Sequence, residues 1–533
     1  MPQPMMRHRP EKHLSMPKRE KLADFALRLR ETDDVAVIKR PVRAGTELFD
    51  DSLRLIVGRD IPAGHKLAVK AVPGGAPVRK YGQIIGFAKG DIAMGEHVHT
   101  HNLEMKDFAR DYEFCADARP LEYYPADRMR HFQGYARPGG RVGTRNYIAV
   151  ISSVNCSASV AHYVKDRFKT EDFRRDFPDV DGVIAFTHKS GCGIQPGEPH
   201  QLLMRVLAGL ARHPNIAGYV MIGLGCEVNQ VQFIRKEFKL DELKAGETPP
   251  TFLTIQSTGG VRRTVDAAAA AVTKLLPLAD ALRRTPQPIC KLILAENCGG
   301  SDGNSGITAN PALGVASDEL VRYGGTSVLA ETPEIYGAEH LLTRRAVTRE
   351  VGEKLLSLIR WWENHARQHN ATIDNNPSYG NKEGGLTTIY EKSLGAVAKG
   401  GQSPQAAVYH YAEPITTTGF CFMDTPGYDP VSMTGLVCGG CNIGVFTTGR
   451  GSVYGCKPAP CIKVATNTPL YNWMRDDMDI NAGTILEGTE TVEQVGRRLF
   501  EKIIAVAGGE KTRSELAGIG DEEFAPWILG PTF

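Results

Sequence analysis

The chain has 533 residues, of which 42 % are hydrophobic and 23 % are charged, with 11 cysteines and a formal net charge of +2. This composition is typical of a globular protein of about two to four domains, and the small net charge argues against a strongly basic surface for nucleic acid or a membrane. No apolar run reaches about 18 residues, so no transmembrane helix is predicted.

Residues 1–22 are rich in Met, Pro, Arg and Lys, and we predict that they form a disordered extension. They lack the apolar segment of a secretory signal. An odd number of cysteines spread through a long chain favours reduced thiols over a disulfide scaffold. The expected location is therefore the cytoplasm.

Residues 23–102 are predicted to form a small all-β domain, because short apolar runs alternate with glycine-containing turns of one style. The last strand carries His97, His99 and His101 at alternate positions, which places the three imidazoles on one face. Two interpretations carry similar weight. The strand is a solvated edge, or it forms a metal or carboxylate site to which His65 also belongs, since imidazole is the commonest metal ligand.

Residues 103–134 lack a clear period and are predicted to be a linker. A loop rich in Gly and Arg follows, and it contains Arg145. A guanidinium in this position is suited to hold a substrate carboxylate through two parallel hydrogen bonds. A surface turn is the alternative, with equal weight.

Residues 135–290 alternate predicted strands and helices, which indicates βαβ units and a parallel sheet with right-handed crossovers. Three of these strands run into a cysteine, at Cys156, Cys192 and Cys226. The segment contains neither a G-x-G-x-x-G turn nor a P-loop, so a nucleotide site has little support.

Residues 291–533 continue the α/β pattern, and their first apolar strand ends at Cys298. The following loop, Gly299–Gly306, contains four glycines and Asp302, and it precedes a predicted helix. Glycines let backbone N–H groups approach an anion, and the N-terminus of a helix favours negative charge. For this loop alone, a tight turn with a buried thiol is an equally good interpretation.

Four cysteines thus follow predicted parallel strands, and ligands of such sheets bind outside the carboxyl ends of the strands. We predict that the four thiols converge on one metal-dependent or thiolate-bearing site. They are Cys156, Cys192, Cys226 and Cys298. None of them belongs to a C-x-x-C motif, so the prediction depends on the repeated order of strand, glycine and cysteine.

The C-terminal half offers further candidates. A long amphipathic helix is predicted over residues 347–369. The polar loop at residues 375–385 is too long for a simple connection, and it includes Asn381 and Lys382. Arg450 follows a later strand. The C-x-x-C pair near residue 440 lies in an apolar run and is interpreted as core.

Many short motifs resemble those of the altronate dehydratase and galactarate dehydratase family of sugar-acid hydro-lyases. They occur in the family's order from about residue 25 to residue 510. The matching stretches are Gly64-His65-Lys66, Lys80-Tyr81-Gly82, Gly95-Glu96-His97-Val98-His99, Val142-Gly143-Thr144-Arg145-Asn146, Ser190-Gly191-Cys192, Gly223-Leu224-Gly225-Cys226-Glu227, Cys298-Gly299-Gly300-Ser301-Asp302, Gly306-Ile307-Thr308-Ala309-Asn310-Pro311, Asn376-Pro377 with Gly380-Asn381-Lys382, Thr447-Thr448-Gly449-Arg450-Gly451 and Asp479-Ile480-Asn481-Ala482-Gly483.

The resemblance implies a multi-domain protein with an N-terminal all-β domain of the β-clip (SAF) type, followed by α/β dehydratase domains with mostly parallel sheets. The boundaries that we predict are 23–102, 135–290 and 291–533. The resemblance also implies a divalent metal, Fe2+ or a similar ion such as Mn2+. A labile iron–sulfur cluster is the alternative form of the iron.

Within the family, three stretches resemble the altronate branch, at residues 95–102, 225–230 and 334–339. They lead us to expect dehydration of D-altronate to 2-dehydro-3-deoxy-D-gluconate. The stretch at residues 477–483 is more similar to the galactarate branch. Galactarate, or another aldonic or aldaric acid, therefore remains an alternative substrate.

Dehydration of a 2,3-dihydroxy acid requires a base for the C2 proton, stabilisation of the charge on the carboxylate, and help for the departing C3 hydroxyl. A divalent metal that bridges carboxylate and hydroxyl supplies Lewis-acid assistance. Its ligands are expected among the four cysteines, or from a thiolate mixed with His97 or His99. All-cysteine ligation suits an iron–sulfur cluster or a closed zinc site, whereas a mononuclear catalytic site needs an open position.

The first candidate for the base is His188, beside the Cys192 turn, because an unperturbed imidazole titrates near neutral pH. Lys382 is the second candidate, since a desolvated lysine can also act as a base. Asp302 completes the candidate catalytic set. The residues expected to hold the substrate, through guanidinium groups, side chains or backbone N–H groups, are Arg145, Gly299, Gly300, Ser301, Asn381 and Arg450.

A hypothesis of another class is a metal-containing sugar-acid sensor without catalytic activity, in which the β domain binds carbohydrate. A sensor needs one or two polar glycine loops, and this chain has several, which favours an enzyme. The expected partner is a small sugar acid, with no nucleic acid and no membrane, and the expected assembly is a homodimer.

Overall fold

The computed structural model describes residues 18–243, 245–246 and 248–532. The chain divides after Glu104 into two compact units. In the described part of the chain, no helix is long and apolar enough to cross a membrane.

The first unit consists of short strands that form three small sheets, with strand orders β1-β4-β5, β2-β3-β6-β9 and β7-β8-β10. Its elements are β1 (Arg19–Lys21), α1 (Leu22–Phe25), β2 (Ala26–Leu27), β3 (Val35–Ile38), β4 (Glu47–Phe49), β5 (Arg54–Ile56), β6 (Lys66–Ala68), β7 (Pro77–Lys80), β8 (Gln83–Ala88), β9 (His97–Val98) and β10 (Leu103–Glu104). All four residues of β3 are buried, and the strand pairs antiparallel with β2 and β6. The predicted all-β character of this part is confirmed.

The predicted disordered extension differs from the structure at its end. Residues 1–17 lie outside the described part of the chain. Arg19–Lys21, however, forms a strand that pairs in parallel with Glu47–Phe49. The composition of these residues resembles that of a disordered segment, but pairing with a neighbouring strand provides backbone hydrogen bonds that composition cannot predict.

The second unit begins with a small three-stranded sheet, β12-β11-β17, and a four-stranded parallel sheet, β14-β13-β15-β16. The elements as far as residue 288 are β11 (His131–Ala136), β12 (Val142–Gly143), β13 (Tyr147–Ser152), α2 (Ala158–Asp166), α3 (Phe173–Asp176), β14 (Gly182–Phe186), α4 (Glu198–Ala211), β15 (Ile216–Gly223), α5 (Val231–Glu237), β16 (Thr251–Thr254), α6 (Ile255–Thr258), α7 (Val261–Asp280) and β17 (Thr285–Pro288).

Strand β13 explains why this sheet is covered on both faces. All six of its residues are buried, as expected for a strand in a parallel sheet. Ile148 and Val150 pack against residues of α2 and α7, whereas Ala149 and Ile151 pack against residues of α4 and α5. The helices therefore leave only the ends of the strands free to form a site.

The remainder of the chain forms a seven-stranded parallel sheet of order β20-β21-β19-β18-β22-β23-β24. Its elements are β18 (Ile293–Cys298), α8 (Ala309–Arg322), β19 (Thr326–Leu329), α9 (His340–Thr343), α10 (Arg349–Gln368), α11 (Tyr379–Glu383), α12 (Ile389–Ala396), β20 (Gln405–Tyr409), β21 (Gly419–Met423), α13 (Asp429–Gly439), β22 (Ile443–Thr448), β23 (Cys461–Ala465), α14 (Thr468–Trp473), β24 (Ile480–Asn481), α15 (Thr484–Glu487), α16 (Val492–Ala507) and α17 (Arg513–Leu516). The predicted multi-domain α/β architecture is confirmed.

The strand order places a topological switch point beside β18. From β18 the chain continues through α8 to β19 on one side, and it later returns to β22 on the other side. In open parallel sheets the crevice at such a point, outside the carboxyl ends of the strands, is where ligands bind. A ligand site is therefore expected among the residues that follow β18, β19 and β22.

The end of the chain packs back across this unit. The predicted amphipathic helix is observed as α10, and its Trp362 is buried, with the indole N–H donating to Asp424 at 2.8 Å. Trp527 stacks on Trp362, with ring centroids 5.3 Å apart and an interplanar angle of 8°. The C-x-x-C pair, Cys438 and Cys441, is buried in the core as the sequence suggested.

Candidate active site

A buried group of charged side chains lies at the carboxyl ends of β18 and β19. Lys399 Nζ is 2.9 Å from Cys298 Sγ and donates to the Glu331 carboxylate. Cys298 Sγ is 3.8 Å from an oxygen of Glu331 and 3.8 Å from an oxygen of Glu334. Cys298 ends β18, while the two glutamates follow β19 and Lys399 lies in the helical turn after α12. The strand ends and one helix end thus bring these four side chains together.

A second lysine completes the balance of charge. Lys392, on α12, lies 2.6 Å from an oxygen of Glu334 and 2.8 Å from Asn376 Oδ1. All of these charged side chains are buried. Two carboxylates therefore face two ammonium groups, which is the arrangement that buried charges require.

Burial and neighbouring charges shift the pKa values of this group. The pKa of the Glu331 carboxyl is raised to about 7, mainly because burial disfavours its charge, with Lys399 opposing the shift and Glu334 adding to it. Burial, with the nearby Glu331 charge, raises the pKa of the Cys298 thiol to about 12. Burial lowers the pKa of Lys399, but Cys298 and the two carboxylates outweigh it, so the net shift is upward.

Asp429, the first residue of α13, adds a carboxyl group beside the same strand end. Any Cβ on Gly299 would collide with Asp429 Oδ2, so this close approach requires glycine. The pKa of Asp429 is raised well above its ordinary value, first by burial and then by the negative charges of Glu331 and Glu334. The raised pKa favours the protonated form of Asp429, and that form is the one able to donate a proton.

The loop Gly299–Gly306 was expected to offer backbone N–H groups to an anion. Most of its backbone N–H groups donate instead to the protein itself. Gly299 donates to the Thr447 carbonyl, Gly303 to the Gly384 carbonyl, and Asn304 to the Asp302 side chain. The loop is therefore held in place by its own hydrogen bonds, and it is not an open cradle along its whole length.

Asp302 is the anchor of that loop. Its carboxylate accepts from Thr466 Oγ1 at 3.0 and 3.1 Å, from Ser305 Oγ at 3.0 Å and from Asn467 Nδ2 at 3.3 Å. The side chain is buried, and burial raises its pKa while these hydrogen bonds lower it. A carboxylate with this many donors holds two loops together, which argues against the catalytic role that the sequence suggested.

Several buried polar atoms near the end of β18 have no hydrogen-bond partner among the described residues. They are the side-chain amide of Asn297, Ser301 Oγ, Asn304 Oδ1 and Glu331 Oε1. Buried polar groups nearly always have a hydrogen-bond partner. A set of them without partners at one strand end therefore indicates where a bound ligand would supply the missing hydrogen bonds. Ser301 thus keeps its place among the candidate substrate residues, together with Gly300 beside it.

The rim of the crevice carries the charged candidates. Arg450 is half exposed, its backbone N–H donates to the Gly300 carbonyl at 2.8 Å, and its guanidinium lies 3.3 Å from Glu383. Lys382 is partly buried on α11. Asn381 on the same helix donates to the Ser301 carbonyl and accepts from Ser378 in a capping box, so both ends of its amide already serve the fold.

The Arg145 guanidinium is not available to bind a carboxylate of the substrate. Its guanidinium forms two hydrogen bonds with Glu515, at 2.6 and 2.8 Å, and others with the carbonyls of Val506 and Glu510. The side chain is fully buried. Arg145 is therefore a structural residue that ties the C-terminal helices to the start of β13, because no donor is left for a ligand.

His188 is also committed to the fold. Its Nε2 lies 3.1 Å from the Ser152 carbonyl, and its Nδ1 accepts from the Ser190 N–H at 3.2 Å. Burial lowers its pKa to about 4. With both nitrogens engaged, the imidazole links the Cys192 turn to β13, and this argues against the role of general base.

The four cysteines do not form one set. Cys156, Cys192 and Cys226 follow β13, β14 and β15 of the four-stranded sheet, and all three are free and exposed. Cys298 is buried and follows a strand of the seven-stranded sheet. The prediction of a single four-thiol site is therefore wrong, because the repeated pattern of strand and cysteine occurs in two different sheets.

The first unit contains a cluster of imidazoles. His65 Nδ1 lies 3.0 Å from His97 Nε2, and the His97 ring is 5.3 Å from that of His99 and 5.5 Å from that of His101. His97 is buried, and its Nδ1 has no hydrogen-bond partner among the described residues. Burial, followed by the charges of His65 and His99, lowers the pKa of His97 to about 3, which keeps this imidazole in the neutral form that binds metals.

The buried triad of Cys298, Glu331 and Glu334 has the donors that a divalent ion requires. In the described part of the chain, it is the one group of three donors whose ligand atoms all lie within 4.8 Å of one another. Carboxylate and sulfur donors together suit iron(II) better than magnesium or calcium, and Glu331 Oε1 has no partner. The residues thus fit a metal, on the condition that the Lys399 ammonium gives up its contacts with two of the three donors.

Sequence reasoning missed Glu331, Glu334, Lys392, Lys399 and Asp429. The two glutamates directly follow an apolar strand, which was a usable signal. The lysines had no such signal, because a lysine in a helical segment is usually expected to face solvent. Lys392 in α12 and Lys399 in the turn that follows are both buried instead.

Comparison with known proteins agrees with this architecture. Residues 24–106 match the altronate/galactarate dehydratase SAF domain, residues 134–280 match the second domain of D-galactarate dehydratase/altronate hydrolase, and residues 289–532 match the C-terminal domain of D-galactarate/altronate dehydratase.

Curated relatives match nearly the whole chain. An altronate dehydratase of Bacillus subtilis is 35% identical over 490 residues, which are 92% of this chain and 96% of the relative. An altronate dehydratase of Escherichia coli is 36% identical over 496 residues, with 92% and 96% covered. A galactarate dehydratase (L-threo-forming) of Escherichia coli is 36% identical over 492 residues, with 91% and 93% covered. The chain therefore belongs to the altronate/galactarate dehydratase family and is a sugar-acid dehydratase, a hydro-lyase with an N-terminal SAF domain.

Proposed function

We propose that this enzyme dehydrates D-altronate to 2-dehydro-3-deoxy-D-gluconate at the carboxyl edge of its seven-stranded sheet. The observation that carries the proposal is the buried group formed by Cys298, Glu331, Glu334 and Lys399, with the carboxyl group of Asp429, whose pKa is raised, beside it. It combines metal donors, a lysine and an acid at the switch point, where the unpaired polar atoms also lie.

The substrate assignment is supported by motifs of the altronate branch and by the two altronate dehydratases among the relatives. The galactarate dehydratase is as similar as they are. Galactarate is therefore the alternative substrate, and an experiment must measure both acids.

Cys298, Glu331 and Glu334 are proposed to hold a divalent metal, Fe2+ or Mn2+. When bound, such an ion supplies Lewis-acid stabilisation of the substrate carboxylate and of the C3 hydroxyl. The sulfur donor favours iron over manganese. His97 and His99 are a second candidate site for the ion, because His97 offers a buried neutral nitrogen without a partner.

Lys399 is proposed to remove the C2 proton. A lysine acts as a base only as the free amine. Burial favours that form of Lys399, whereas the negative charges of its neighbours oppose it. Once another cation neutralises Glu331 and Glu334, the effect of burial remains and the pKa of Lys399 falls.

Asp429 is proposed to protonate the leaving hydroxyl. The electron pair of the C2–H bond forms the C2–C3 double bond as the C3–O bond breaks, and the hydroxyl leaves as water. The enol that remains becomes the 2-keto acid by moving a proton to C3. Asp429 suits this step because burial and two nearby carboxylates raise its pKa, which favours the protonated form that an acid catalyst needs.

Side chains at the rim of the crevice are proposed to position the substrate. Arg450 and Lys382 are placed to hold the carboxylate or the distal hydroxyls, with Gly300 and Ser301 below them. Arg450 needs only to exchange its contact with Glu383, an exposed pair that contributes little to stability.

The test is anaerobic turnover of D-altronate and galactarate, each measured with Fe2+ and reductant and then with a chelator. Turnover of altronate that the chelator abolishes supports both the substrate and the metal. Turnover of galactarate alone keeps the chemistry and changes the substrate. No turnover of either acid would contradict the proposal and favour the sensor hypothesis.

The choice of metal site is tested by metal content. Cys298→Ser and His97→Gln are compared after anaerobic loading with iron(II) and gel filtration. We expect the first variant to lose the bound iron and the second to retain it. The opposite result would move the catalytic ion to the imidazoles. Dimeric assembly and a cytoplasmic location stay predictions, the first of which sedimentation checks directly.

A further inference from the structure

Three thiols lie at one edge of the four-stranded sheet, outside the site described above. Cys156, Cys192 and Cys226 follow three neighbouring strands, in the spatial order β14-β13-β15. All three are free and exposed. Free cysteine is among the most buried residue types, so packing does not explain three exposed thiols at one sheet edge.

Backbone hydrogen bonds join the three cysteine loops. The Asn155 N–H donates to the Ser190 carbonyl at 3.0 Å, which joins the loops of Cys156 and Cys192. The Val228 N–H donates to the Cys192 carbonyl at 3.2 Å, which joins the loops of Cys192 and Cys226. The positions of the three thiols are therefore coupled through the main chain.

Asn229 adds a bridge between all three loops. Its backbone N–H donates to the Gly191 carbonyl at 3.1 Å, and its side-chain amide donates to the Ser153 carbonyl at 2.8 Å. Gly191 has a φ of 102°, and a Cβ there would lie 2.6 Å from the Ser153 carbonyl oxygen. The Cys192 loop thus approaches the Cys156 loop more closely than any residue other than glycine permits.

An open cavity lies beside the thiols. Two of the three line an open cavity of about 460 Å³, and other lining residues are Asn155, Ser190, Gly191 and Trp527. The site therefore has space for a group considerably larger than one ion.

The spacing of the thiols favours a ligand larger than a single ion. Two sulfurs bound to one zinc lie at most about 4.6 Å apart, twice the Zn–S bond of about 2.3 Å. In the described part of the chain, the group of three donors within 4.8 Å of one another is Cys298, Glu331 and Glu334, so the three exposed thiols are more widely spread. A ligand with several metal centres can reach thiols that one ion cannot.

We propose that Cys156, Cys192 and Cys226 bind an iron–sulfur cluster, one thiol to each of three irons. Each thiol would lose its proton to solvent as its sulfur bonds to iron. Iron(II), iron(III) and sulfide from the medium would make up the cluster, so that no iron changes oxidation state. One iron of a four-iron cluster would then have no ligand among these three thiols. The cluster is separate from the Cys298 group and does not depend on the function proposed for that group.

The experiment is anaerobic reconstitution of the full chain with equal amounts of iron(II) and iron(III) and with sulfide, followed by gel filtration and measurement of both elements. We expect roughly four iron and four sulfide per chain above any ion at the Cys298 group, with the visible absorbance of such clusters. Cys156→Ser, Cys192→Ser and Cys226→Ser should each lose most of the sulfide. Cys290→Ser, at a half-buried free cysteine, is the matched control and should retain it.

A second measurement needs no variant. The wild-type protein is alkylated before and after reconstitution, and peptide mass spectrometry gives the modified fraction at each cysteine. We expect the three thiols to be protected together after reconstitution. Iron bound without sulfide, stoichiometric zinc, or equal sulfide in the three variants and the control would overturn the proposal.

The outcome is independent of the proposed dehydratase site. Glu331→Gln should lose turnover of the sugar acid and keep the sulfide. A wild-type chain that turns over substrate without acid-labile sulfide refutes the cluster and leaves the proposed function standing.

Discussion

Lys399 Nζ lies 2.9 Å from Cys298 Sγ, and both side chains are completely excluded from solvent. A buried ammonium beside a thiol and two carboxylates is stable only if their charges compensate one another. This pairing links the end of β18 to the helical turn after α12. It also sets the conditions under which the lysine can act as a base.

Replacing Lys399 with methionine should abolish turnover and destabilise the metal-free protein. The change leaves two buried carboxylates with one ammonium, and removal of one partner of a buried pair costs about 3–5 kcal/mol. The thermal unfolding midpoint measured with chelator present should therefore fall clearly. The double variant Lys399→Met/Glu331→Gln removes both charges, so it should regain most of the lost stability and none of the activity. A single variant as stable as the wild type would contradict the buried pair.

The stability of the metal-free protein should fall as the pH rises toward neutrality. The pKa of Glu331 is about 7 in the folded protein against an ordinary value of 4.5, so its proton stabilises the fold fully below about pH 4.5. That contribution is lost as the pH rises through 7. Thermal midpoints recorded from pH 5 to pH 8 should decline less in Glu331→Gln than in the wild type. Parallel curves for the two proteins would show that Glu331 does not titrate in this range.

Asp429→Asn should lower kcat by about 10²–10⁴-fold, the usual contribution of a general acid. The amide has nearly the same shape as the acid, so the contact with Gly299 and the bound metal should be retained. Steady-state kinetics and metal content are measured on the same preparation. Asp476→Asn, at an exposed carboxylate on the same unit, serves as the control and should behave as the wild type. Unchanged kcat in Asp429→Asn would remove this residue from the proton step.

Replacement of Arg145 by methionine should affect stability, whereas replacement of Arg450 by methionine should affect substrate binding. Arg145→Met breaks two hydrogen bonds to the half-buried Glu515 carboxylate and removes a fully buried guanidinium, so it should lower the unfolding midpoint and leave kcat per folded molecule unchanged. Arg450→Met removes a half-exposed side chain, so it should raise KM at least tenfold with little loss of stability. Reversal of the two outcomes would return Arg145 to the substrate site.

The strand ends could be predicted from sequence because apolar runs followed by glycine have a simple physical cause. Cys298 was correctly placed at the end of a buried strand, and the helix predicted after the glycine loop is observed from Ala309 onward. The local sequence pattern does not predict to which sheet a strand belongs. Cys156 and Cys298 follow similar strands in different sheets, so their predicted convergence was wrong.

The partners of Cys298 could not be predicted for a different reason. Lys392 and Lys399 are buried because their charges are compensated by carboxylates that follow β19, and such pairing over a long sequence separation leaves no local pattern. His188 shows the converse. A histidine beside a glycine–cysteine turn resembles a catalytic base in sequence, but both of its nitrogens are engaged by backbone groups.

The packing of the chain's last residues has a practical consequence. Trp527 stacks on Trp362 and at the same time lines the cavity beside Cys156 and Cys192. The C-terminal segment is thus one wall of the thiol cavity. Preparations that carry a purification tag after residue 533, or that have lost terminal residues to proteolysis, will differ from the intact chain in how readily oxygen and alkylating reagents reach these cysteines.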